Sequence, residues 1–142
     1  MIELIARVEA AQTAIDKHLN QALDWRQHDC AQLVTTALKA LGHPNPLKQI
    51  RKYSSEKTAL LAMRAARYQS MADAIDALGF ERIGPASALA GDVVSFPADE
   101  QWGGHALGVA LGDGRLIGFA NGVCDVAPVS IATLAWRVTV AV

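Results

Sequence analysis

The stretch GDVVSFPADEQWGGHALGVALGDGRLIGF, residues 91–119, decides the fold class. Two short apolar runs, Asp92–Phe96 and Ala106–Leu111, are followed by Asp113-Gly114 and a third run, Arg115–Phe119. Asp-Gly between such runs is a two-residue hairpin signal, so 92–96, 106–111 and 115–119 read as antiparallel strands. Downstream, Asn121-Gly122 signals a second hairpin into a strand over 123–127. Pro128 interrupts, residues 130–134 form a short turn or helix, and 135–142 closes as a strand.

Upstream of Gly79 the period changes. Ile2, Ile5, Val8, Ala11 and Ile15 recur every three or four residues, which predicts an amphipathic helix buried on that face and ending before Leu23. Asp29 suits the N-cap of a second helix over CAQLVTTALKALG (30–42). Leu33, Val34, Ala37, Leu38 and Leu41 lie on one face, Gly42 is a stop, and Pro44 and Pro46 forbid continuation. A loop carrying Lys48, Arg51 and Lys52 follows. Ser54 or Ser55 caps a third helix to about Tyr68, and Ser70-Met-Ala-Asp73 resembles a capping box for a short fourth helix ending at Gly79. Four helices followed by about five antiparallel strands make an α+β fold, not a doubly wound one. At 142 residues the chain is expected to form a single domain over 1–142.

Apolar residues are 51% of the chain, charged residues 19%, and mean hydropathy is +0.18, which rules out disorder. Twenty-six alanines point to a core of small residues and closely spaced elements. Thirteen basic side chains against fourteen acidic ones leave a net charge of −1, so no nucleic-acid partner is expected, although a local basic patch stays open. No run approaches the ~20 apolar residues of a membrane span, and the N-terminus lacks a secretory pattern. Two cysteines, Cys30 and Cys124, without CxxC spacing, imply neither a disulfide framework nor a structural metal site.

Cys30 follows the N-cap of the second helix. The first-turn N–H groups and the helix dipole favour thiolate there, and a thiolate is the nucleophile of covalent acyl transfer. The bland alternative is a small apolar core cysteine; Cys124, in a strand without a helix terminus, reads as core or surface filling. Of the histidines, His18 and His43 read as solvated. His28 lies two residues before Cys30, and His105 follows Gly103-Gly104 at the head of a strand. Cys–His pairs usually join residues distant in sequence, so His105 ranks above His28 as the base. Trp25 and Trp136 are expected to be mostly buried and Trp102 more exposed.

Taken in order, Trp25-Arg-Gln-His-Asp-Cys30-Ala-Gln-Leu-Val34, Gly91-Asp-Val-Val-Ser-Phe96 and His105–Ile117 resemble the NlpC-type cell-wall cysteine peptidases, which are compact papain-like hydrolases. The W-x-x-H-D-C-A segment, with Ala135-Trp-Arg-Val138, is also similar to a phage tail-gene-associated family of unassigned function. The resemblance implies a papain-like α+β fold with N-terminal helices packed on a C-terminal sheet. It implies Cys30 and His105 as the catalytic pair, peptidoglycan peptide amides as substrate, and no cofactor. It also implies production in the bacterial cytoplasm and, for a phage protein, a place in the virion tail beside other tail proteins. The second reading it carries is a catalytically inactive structural component of a tail tip. The pattern departs from the family at three places. His105 lies three residues before Gly108 rather than two, so a regular strand is expected to turn it away and present Ala106, whereas a bulge at Gly103-Gly104 turns it inward. Gly118 stands where the family has a third polar residue, leaving Asn121, Asp125 or the local His28 as orienting or alternative groups. Ala31 replaces the serine after the nucleophile.

Overall fold

A computed structural model describes residues 2–44 and 46–141. Four helices come first: α1 (Ile2–His18), α2 (Cys30–Ala40), α3 (Glu56–Ala65) and α4 (Met71–Asp76). Six strands follow: β1 (Glu81–Ile83), β2 (Val93–Pro97), β3 (His105–Ala110), β4 (Arg115–Ala120), β5 (Val123–Pro128) and β6 (Leu134–Arg137). They form one sheet in the order β1-β6-β2-β3-β4-β5, with every neighbouring pair antiparallel. The α+β architecture is the one the change of period predicts.

Capping fixes the helix starts. Asp29 accepts from the Gln32 N–H at 2.8 Å. Ser55 and Thr58, then Ser70 and Asp73, close reciprocal capping boxes. Each sheet face is buried. Val93, Leu107, Val109, Ile117 and Trp136 join Leu33, Val34, Ala37 and Leu38 of α2 in the main core. Val94, Phe96, Ala110, Leu116 and Ala135 form a smaller core on the far face, covered by the turns around Ala88 and Val129. Cys124, read as core or surface filling, is fully buried in the main core.

Three sequence readings are corrected. β1 was not anticipated, because Glu-Arg-Ile is too short and polar to register as a strand; pairing to β6 organises it. The final strand stops at Arg137, where β1 and β2 run out of partners, instead of reaching 142; Val142 itself lies outside the described residues. The buried stripe of α1 is Arg7, Ala10, Ala11, Ala14 and His18, while Ile2, Ile5 and Val8 are 82%, 53% and 53% exposed. The alanines bring α1 close to α2, and Arg7 fixes the rotation by donating to the buried Asp92 at 3.0 Å and to the Ala90 and Val138 carbonyls.

Candidate active site

Cys30 opens α2 and lies half-buried on a cavity of about 540 Å³. His105, Asn121, Asp29, Trp25 and Trp102 line the same cavity. The histidine arrives there without a bulge. β2 and β3 pair residue for residue from Val93↔Val109 to Pro97↔His105. Alternation therefore puts His105 on the face of Leu107 and Val109, the face that α2 covers. Ala106 belongs to the opposite, smaller core. The expectation that a regular strand presents Ala106 to the thiol is thus reversed. Gly103 and Gly104 do adopt positive φ (72° and 81°), but they turn the chain into β3 ahead of the ladder.

Cys30 packs against the core cluster that contains Leu107, two residues along β3 from His105 and on the same face. Same-face neighbours in a strand stand ~7 Å apart at the backbone. His105 Nδ1 lies 3.1 Å from the Ser95 hydroxyl of β2. With Nδ1–H donating to Ser95 Oγ, the Nε2 lone pair is the one left to take a proton.

The electrostatics of Cys30 differ from the helix-dipole expectation. Burial, and then the Asp29 carboxylate, push the thiol up to about 12; backbone hydrogen bonds from Leu107, Ala31 and Cys30 itself pull the other way without prevailing. Asp29 is itself raised by burial, against a Tyr53 hydroxyl that donates to its Oδ2 at 2.5 Å. Desolvation thus outweighs the first-turn amides, and the resting group is a thiol.

The remaining candidates separate clearly. His28 does not line the cavity; its Nδ1 lies 3.0 Å from Nδ1 of His18, whose Nε2 meets Thr36 Oγ1 at 2.8 Å. His18 is fully buried rather than solvated, and burial, His28 and Lys17 lower it to about 4. His43 is half-buried, with Nε2 2.6 Å from the Thr139 carbonyl and an edge contact to Phe80. Asn121 sits exposed in the left-handed position of its turn (φ 54°) at the cavity rim, and no hydrogen bond joins it to His105. Asp125 is exposed and bonds the Val126 N–H. Gly118 faces the far core, where the Phe96 ring covers it, so that position is not vacant site space.

Two residues were missed. Ser95 is a fully buried polar side chain in β2, and only the pairing of β2 with β3 brings it to His105. Trp102 was expected to be the exposed indole, yet it stacks on Trp25 at 5.4 Å and 13°, and both are half-buried. Trp136 is fully buried, with Nε1 donating to Asp76 Oδ1 at 2.8 Å. Among the described residues no group of three His, Cys, Asp or Glu has metal-holding geometry.

A family model described as a domain of unknown function (DUF6950) matches residues 6–138. The chain belongs to this family. No curated protein sequence matches it. The fold of this DUF6950 member is similar to that of NlpC2 from Trichomonas vaginalis (TM-score 0.58, 16% identity, 94% of this chain and 47% of that one). It is also similar to the NlpC/p60 domain of the peptidoglycan hydrolase SagA (TM-score 0.51, 16% identity, 94% of this chain and 97% of that one). The chain therefore spans about half the length of the NlpC2 chain and nearly all of the SagA domain. At this identity the likeness establishes an NlpC/p60 papain-like fold.

Proposed function

We propose that the protein is a cysteine hydrolase that cleaves a peptide amide, with peptidoglycan stem peptides as the substrate class. The observation that carries the proposal is one cavity holding Cys30 at a helix start and His105, oriented by Ser95, on the strand beneath it. In the first step the Cys30 proton passes to His105 Nε2 as the sulfur bonds to the carbonyl carbon. The carbonyl oxygen becomes an oxyanion, for which the N–H groups of the α2 opening turn are the available donors. Collapse returns the proton from the imidazolium to the departing amine and leaves a thioester. Water, deprotonated by His105, then releases the acid and restores the thiol. A thiol held near 12 makes the proton transfer part of the attack rather than a prior equilibrium. The stacked Trp25 and Trp102 supply an apolar wall for the substrate chain.

The biological setting in this proposal is a phage or prophage tail, supported by the similarity of Trp25–Ala31 and Ala135–Val138 to the tail-associated family. The protein is made in the bacterial cytoplasm and carried into the virion with other tail proteins. Mass spectrometry of purified particles tests this placement.

Activity is tested on muropeptides and synthetic stem peptides. Wild-type turnover is expected, with its loss in Cys30→Ser and His105→Ala. Ser95→Ala is expected to lower kcat about 10- to 100-fold, a share of what acid–base catalysis supplies. The second reading, an inactive tail-tip component, is favoured by the high thiol value. It takes over if the wild-type protein is folded and turns over none of these substrates.

A further inference from the structure

A groove of about 420 Å³ lies on the other side of the Asp29–Tyr53 hydrogen bond from the thiol cavity: Tyr53 lines the groove, Asp29 the cavity. Among the described residues, five cationic side chains line the groove, namely Arg26, Lys39, Lys48, Arg51 and Lys52, and no carboxylate does. They are five of the thirteen basic residues of a chain whose net charge is −1. Among the described residues none of the five forms an ion pair, whereas Arg7, Arg82, Arg115 and Arg137 all do. They come from three separate stretches: the approach to α2, its last turn, and the loop after it. Apolar Ala31, Leu47 and Ile50 line the groove as well, beside Gln32 and Thr35.

We infer that this groove binds an acidic peptide segment carrying apolar side chains between its carboxylates. Uncompensated like charges around one concavity favour an anionic ligand and raise its encounter rate. The apolar lining residues then select among anions: a phosphate polymer leaves Leu47 and Ile50 unused, while leucine-like side chains bury against them. A nucleic acid is disfavoured further because, among the described residues, Tyr53 is the one aromatic side chain lining the groove, and its hydroxyl is tied to Asp29; single-strand binding relies on a series of stacking rings. The groove is distinct from the thiol cavity, and the inference stands whether or not Cys30 is catalytic.

Fluorescence anisotropy with a labelled peptide of alternating glutamate and leucine tests it. The comparisons are a lysine–leucine peptide, an all-glutamate peptide and a single-stranded oligonucleotide. The glutamate–leucine peptide is expected to bind at least about tenfold more tightly than each of the others, and to weaken as salt is raised. Lys48→Glu/Arg51→Glu/Lys52→Glu is expected to lose at least about tenfold in affinity, with Arg64→Glu on α3 as the unaffected control. Lys48→Gln/Lys52→Gln gives a milder second variant should the triple one unfold, and is expected to lose a few-fold. Equal or tighter binding of the oligonucleotide or the all-glutamate peptide overturns the inference. So does a salt-independent affinity, or wild-type affinity in a folded charge variant.

Discussion

Burial and the Asp29 carboxylate hold the proton on Cys30, while the opening turn of α2 and the β3 backbone work to remove it. Asp29 is also the N-cap, so the same side chain starts the helix and suppresses the thiolate. Asparagine caps as well as aspartate but carries no charge. Asp29→Asn is therefore expected to keep the fold and speed Cys30 alkylation by iodoacetamide at pH 8, by up to about tenfold, the effect of one pKa unit. Mass spectrometry of the labelled peptides reads Cys30 and Cys124 separately; an unchanged Cys30 rate discards the role given to Asp29. His18 shows the opposite sign. Its folded value, near 4, lies below the ordinary 6.5, so its contribution to stability is present above pH 6.5 and is lost as pH falls toward 4. Urea unfolding from pH 7 to pH 4 should show about 2–3 kcal/mol lost through this group. His18→Gln should flatten that part of the profile.

At the level of elements, strands are legible from alternation, but which face they bury is not. The spacing of His105 and Gly108 against the family pattern points to the wrong face. The ladder with β2 settles it, because Ser95, Leu107 and His105 all turn toward α2. Gly118 was read as a lost polar residue, yet it and Gly108 are paired across β3 and β4 beneath the Phe96 ring. A Cβ on Gly108 would stand 2.6 Å from the Ile117 carbonyl oxygen, and one on Gly118 would stand 2.8 Å from the ring. Backbone cannot yield as a side chain can. Gly108→Ala is expected to cost about 1–3 kcal/mol in denaturant unfolding, through overpacking between the strands. Capped helices were easier to read: Asp29, Ser55 and Ser70 carry their geometry in local chemistry. Ser95 escaped notice because its role depends on a partner ten residues away across a ladder.

For the whole molecule, α1 and the sheet are joined through charge as well as through alanine packing. Asp92 is fully buried at the head of β2 and accepts from Arg7, Arg137 and the Leu89 and Val138 N–H groups, all at 2.9–3.0 Å. Arg7 is 2% exposed and spends its other donors on Glu3 and on the Ala90 and Val138 carbonyls. This cluster explains why the larger apolar residues of α1 face outward: the helix is turned by its arginine, and the alanines fill the space that remains. Hydropathy alone favours the opposite rotation, because it gives no weight to a buried cation with a complete set of acceptors. Removing one partner leaves the other charge buried and unpaired, a loss of about 3–5 kcal/mol. Asp92→Ala is therefore expected to destabilise the protein by that amount in urea unfolding, more than Asp113→Ala, whose Arg115 partner is exposed. Arg7→Met/Asp92→Leu, which removes both charges and keeps apolar volume, should recover part of the loss. If Asp92→Ala instead unfolds like the wild type, the rotation of α1 is set by the alanine face alone.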